Sequence, residues 1–89
     1  MRNYLSDGES LRLQIKSLVL EYMQTNPDCA SNSDGMKQAE IFRDCGLDWE
    51  DQPNATSSQQ QFWLVAILRV LENEGVVQRD SVNKKWRLK

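Results

Sequence analysis

The side chains that carry most enzyme chemistry are scarce in this chain, and those that grip anions gather near one end. The 89 residues contain no histidine, the usual proton carrier near neutral pH. Two cysteines, Cys29 and Cys45, make no disulfide framework, and without histidine they make no zinc site. Cys45 precedes Gly46 at an expected helix end, where the dipole disfavours a thiolate. The four glycines, Gly8, Gly35, Gly46 and Gly75, stand singly and form no phosphate loop. The expectation is therefore a protein that is not an enzyme and has no cofactor, metal or small-molecule ligand.

Two stretches remain that could do recognition chemistry. Gln59, Gln60 and Gln61 precede Phe62, and glutamine can pair with an adenine edge while an apolar side chain meets a thymine methyl. Further on, Lys84, Lys85, Arg87 and Lys89 alternate with Trp86 and Leu88. Net charge is −2, unevenly spread: residues 1–57 sum to −5 and residues 58–89 to +3. A polyanion would be met by the C-terminal third, with the acidic part turned away.

These residues must be positioned by one small domain spanning 1–89, with residues 1–5 expected to be flexible. The chain is long enough for one core and too short for two. No apolar run approaches the roughly 20 residues that span a bilayer, and Met1-Arg2-Asn3-Tyr4 lacks a signal-peptide pattern. A cytoplasmic protein with no membrane partner is expected.

Ser6 with Glu9 fits a capping box, and Leu11, Ile15, Leu18, Val19 and Tyr22 share one helical face. A first helix is expected over about 7–24, ending before Asn26-Pro27. The turn-rich segment 25–35 reads as a loop. A second helix runs from about Lys37 to Cys45, buries Ala39, Ile41, Phe42 and Cys45, and ends at Gly46. Residues 47–56 read as irregular, with Leu47 and Trp49 dipping inward. A third helix extends from about 57 to 73, started by Thr56 with Gln59 or Ser57 with Gln60 and ended by Gly75. Two short strands follow, 76–79 and 84–89, joined by a polar turn.

On the third helix, Gln60, Trp63, Leu64, Ile67, Leu68, Val70 and Leu71 fall on one side and are expected in the core. Ser58, Phe62, Val65, Ala66, Arg69 and Asn73 fall opposite. That second face has three readings: further core under Leu47 and Trp49, a protein or homodimer interface through Phe62, Val65 and Ala66, or a surface entering the DNA major groove. On the last strand, Lys85, Arg87 and Lys89 point away from Trp86 and Leu88. With Lys84 and Arg79 they would form a positive ridge, suited to a phosphate backbone or to protecting an edge strand from mispairing.

The run Leu71-Glu72-Asn73-Glu74-Gly75-Val76-Val77-Gln78-Arg79, followed by Lys84-Lys85-Trp86-Arg87-Leu88, resembles the ending of the winged helix-turn-helix family. It is also similar to the N-terminal domains of Mrr-type restriction endonucleases, which likewise carry a tryptophan early in the third helix, as Trp63 is here. The resemblance implies an α+β fold, three helices followed by a two-stranded hairpin, or wing. It further implies a binder of double-stranded DNA, in transcription regulation or restriction-modification. Its contacts would come from Ser57, Ser58, Gln59, Gln61, Phe62 and Arg69 on the third helix and from Arg79, Asn83, Lys84, Lys85 and Arg87 on the wing. Two features depart from the family pattern: Arg69 is the sole cation on the outward side of that helix, and the loop before it is acidic (Asp48, Glu50, Asp51). The alternative is a protein-docking module, such as a small phage-type inhibitor, using Phe62, Val65 and the 48–51 loop.

Overall fold

The structure, a computed structural model, describes residues 2–47 and 57–89, with the backbone alone for 57–64. Helix α1 spans Tyr4–Thr25, α2 Gln38–Asp44 and α3 Ser57–Asn73; strands β1 (Val77–Arg79) and β2 (Trp86–Leu88) close the order. The α+β class and the helix, helix, helix, hairpin succession match the expectation. The inward dip of Trp49, the Thr56–Gln59 and Ser57–Gln60 caps, and the side chains of Gln60, Phe62, Trp63 and Leu64 lie outside the described residues.

The first helix begins three residues earlier than the capping box suggests. Asn3 is its N-cap, and its side chain accepts the Ser6 backbone N–H at 3.1 Å. Ser6 and Glu9 therefore lie inside the helix, and Tyr4 and Leu5, expected in a flexible start, are already helical. Both Ser6 and Asn3 are cap formers, and the upstream one takes the role. At the other end Thr25 is the last helical residue, and Asn26 caps a short 3-10 turn at Pro27–Cys29.

Glycines set two later boundaries. Gly46 (φ 73°) and Gly75 (φ 79°) adopt the left-handed conformation that ends α2 and α3. Strands β1 and β2 pair antiparallel, with Val77 opposite Leu88, Gln78 opposite Arg87 and Arg79 opposite Trp86. The expected loop 25–35 leads into an extension the polar composition did not signal. Met36 pairs with Trp86, its N–H donating to the Trp86 carbonyl at 2.9 Å and its carbonyl accepting the Trp86 N–H at 2.8 Å. Gly35 makes this approach possible: a Cβ there would stand 2.7 Å from the Trp86 carbonyl oxygen, and its φ is 91°.

Trp86 is the centre of the core. It is fully buried, with Val19 and Met23 of α1, Cys29, Met36, Ile41 and Phe42 of α2, Ile67, Leu68 and Leu71 of α3, and Val77 of β1. A polar node ties the rim together. The Tyr22 hydroxyl donates to Asp44 and accepts from the Asn26 amide, which also approaches the Met36 sulfur. Three expectations fail on placement. Leu11 and Val70 are 55% and 43% exposed rather than covered, because a groove separates α1 from α3 there, and Leu18 is 43% exposed on the outer surface of α1. Val65, whose face has three readings, is half-buried against the core, as the core reading has it.

Candidate nucleic-acid interface

The hairpin turn is built by Asp80. Its carboxylate accepts the backbone N–H groups of Val82 and Asn83 and pairs with Arg87 at 3.0 Å. The two N–H bonds and then the guanidinium hold the Asp80 carboxyl down at about 2, below its usual 3.8. Asn83 accepts the Lys85 N–H within the turn and donates to the Asp34 carbonyl in the segment before α2, so both ends of its amide are occupied. Lys84 takes a positive φ of 63° and stands exposed at the turn, with Lys85 half-buried beside it and Lys89 exposed at the strand end.

The register corrects the expected ridge. Directly opposed residues of an antiparallel pair share a face, so Arg79 lies on the Trp86 side and Arg87 on the other. Arg87 is also committed to Asp80. The single basic ridge therefore divides into Lys84, Lys85 and Lys89 along the ribbon and a separate cation on its inner face.

That inner cation meets α3. Arg79 lies with its guanidinium carbon 5.9 Å from the Trp86 ring centroid, and Arg69 of α3 lies 5.1 Å from the same ring. The aromatic ring fixes two exposed arginines from different elements beside each other. Arg69 also pairs with Glu72 at 3.0 Å across one helical turn, an exposed pair of small energetic weight. Arg79 donates to the Lys84 carbonyl. The exposed side of α3 thus carries Arg69 and Asn73 next to the hairpin, with Ala66 turned toward α1. Ser57, Ser58, Gln59, Gln61 and Phe62 continue α3 toward its N-terminus, and their side chains, like the 48–51 loop, lie outside the described residues.

Sequence reasoning did not anticipate the arginine pair on Trp86. Its signal was present in the two-residue alternation that places Arg79 on the side of Val77, but the partner on α3 needs the tertiary fold. Burial raises the Cys29 thiol to about 11 and raises Cys45 as well, Asp44 adding to the latter, so neither is a ready nucleophile. Among the described residues no cluster of acidic or cysteine side chains could hold a metal ion, and no helix is long and apolar enough to cross a membrane. Comparison with protein-family models, with curated proteins and with solved structures gives no match.

Proposed function

We propose that this chain is a winged helix that binds double-stranded DNA without catalysis, α3 entering the major groove and the hairpin resting on the phosphate backbone. The observation that carries the reading is the convergence of Arg69 and Arg79 on Trp86. It sets the exposed flank of α3 and the lysine-bearing hairpin side by side, as two elements gripping one duplex must be. The Met36–Trp86 bridge adds support, since it ties the segment before α2 to the last strand and so holds the hairpin against the helices. The docking-module alternative loses one of its three elements, because Val65 packs against the core.

Lys84 and Lys85 are the cations whose loss should weaken binding on every sequence, since they would meet phosphate rather than bases. Titrating a duplex of roughly 25 base pairs at low and moderate salt tests this, as backbone contacts impose a steep salt slope. Replacing both lysines by alanine should lower affinity on specific and random duplexes alike and flatten the slope by about two. Absence of binding at low salt, or an unchanged slope in the variant, overturns the proposal.

A further inference from the structure

The N-terminal half of α1 carries a surface that neither the core nor a DNA contact uses. Between α1 and α3 runs a groove of about 710 Å³ lined by Gly8, Leu11, Arg12, Leu13, Ile15, Lys16, Ala66, Ile67 and Val70. On α1, Leu5, Gly8, Glu9, Arg12, Leu13 and Lys16 recur at spacings of three and four, so they share one helix face. Leu5 is 75% exposed and Leu13 56%.

Two observations indicate what covers this face. The first is Gly8. It sits inside a helix, where glycine costs up to about 1 kcal/mol relative to alanine. Its φ is not positive, and a Cβ added there would meet nothing within 4 Å. Nothing among the described residues requires a glycine at this position, whereas close approach of a second helix from outside does. The second is charge. Glu9 and Arg12 are both exposed, neither has a partner among the described residues, and they stand one turn apart with opposite sign. Such a pair is self-complementary under a two-fold axis. In an antiparallel crossing centred between residues 10 and 11, Glu9 of each copy faces Arg12 of the other, and Leu13 of each faces Gly8 of the other.

We propose that the occupant is a second copy of this chain, α1 crossing α1 antiparallel about the point between residues 10 and 11, with Gly8 of each copy against Leu13 of the other, to form an isologous dimer. The crossing buries Leu13 against Gly8 of the other copy and leaves Arg69, Arg79 and the hairpin lysines outside the contact. The dimer therefore stands or falls independently of DNA binding.

Sedimentation equilibrium of the full chain without DNA, from low to high micromolar concentration, is the test. A concentration-dependent dimer is expected. Gly8→Leu should abolish it while leaving the far-UV circular dichroism unchanged, since the added side chain points into open space. Glu9→Arg alone and Arg12→Glu alone should each weaken dimerisation at least about tenfold, the loss of a desolvated charge pair. The double variant carrying both changes should restore it. A wild-type chain that stays monomeric, a Gly8→Leu chain that still dimerises, or charge swaps without rescue would each overturn the proposal.

Discussion

In the C-terminal half of α1, Val19 and Met23 are fully buried and Tyr22 is bonded to Asp44 and Asn26; in the N-terminal half, Tyr4, Leu5, Leu11 and Leu13 are more than half exposed. The two halves are continuous in backbone, and both read as apolar-rich helix. Their difference is in what lies opposite. The C-terminal half faces Trp86, α2 and the last turns of α3, whereas the N-terminal half faces a groove. Helicity in the second case rests on local terms: the Asn3 cap, the Arg2–Asp7 pair and the Gln14–Ser10 bond. Helical periodicity thus reports a face that can be covered, and the tertiary fold decides how far along the helix the cover extends.

Substitutions sharpen that contrast. The largest effect is expected for Trp86→Ala, which removes the ring at the centre of the core and should cost about 3–5 kcal/mol, read as loss of the cooperative thermal transition. Trp86→Phe should cost less, because it also deletes an indole N–H that has no partner among the described residues. Next is Gly35→Ala, whose Cβ collides with the Trp86 carbonyl at a left-handed φ; a loss of about 1–3 kcal/mol is expected. In the N-terminal half of α1 the same chemical change reverses sign. Gly8→Ala should stabilise the fold by up to about 1 kcal/mol, and Leu13→Ala should alter monomer stability by less than about 0.5 kcal/mol. Equal losses at Gly8 and Gly35 in denaturant unfolding would erase the contrast.

The smallest effects are those of pH. The Asp80 carboxyl is lowered on folding, so its contribution is complete above about 3.8 and is lost as pH falls toward 2. Tyr22 moves the other way: burial, then the Asp44 bond, raise its hydroxyl from 10.0 to about 12. Its neutral form is favoured by folding, so that contribution is whole below pH 10 and declines as pH rises toward 12. Melting temperature against pH should therefore fall at both extremes. Asp80→Asn should flatten the acid limb and Tyr22→Phe the alkaline one.

Much of the architecture was legible where a residue type answers a local backbone demand. Gly46 and Gly75 end their helices as expected, and Trp86 alternates inward between Lys85 and Arg87. Legibility failed where two local signals compete or where the partner is distant. Ser6 with Glu9 makes a better-looking cap than Asn3, yet the Ser6 N–H goes to Asn3. Met36 pairs as a strand through one residue, too short to show a period of two. Val70, expected in the core, is exposed because it lines the groove between α1 and α3. For the candidate interface, Lys84, Lys85 and Arg69 could be read from charge, but the commitment of Arg87 to Asp80 and of Asn83 to the turn required coordinates.

The two hydrogen bonds between Met36 and Trp86 enclose α2, α3 and the hairpin in a closed circuit of chain. The helices and the Asp80 turn can form from neighbours in sequence, within microseconds, but this closure must wait for the ends of a long intervening segment to meet and lose the corresponding entropy. Assembly should thus finish rather than begin with the joining of the two edges. Inserting a flexible glycine-serine run into 48–56 should slow refolding while leaving the unfolding rate nearly unchanged.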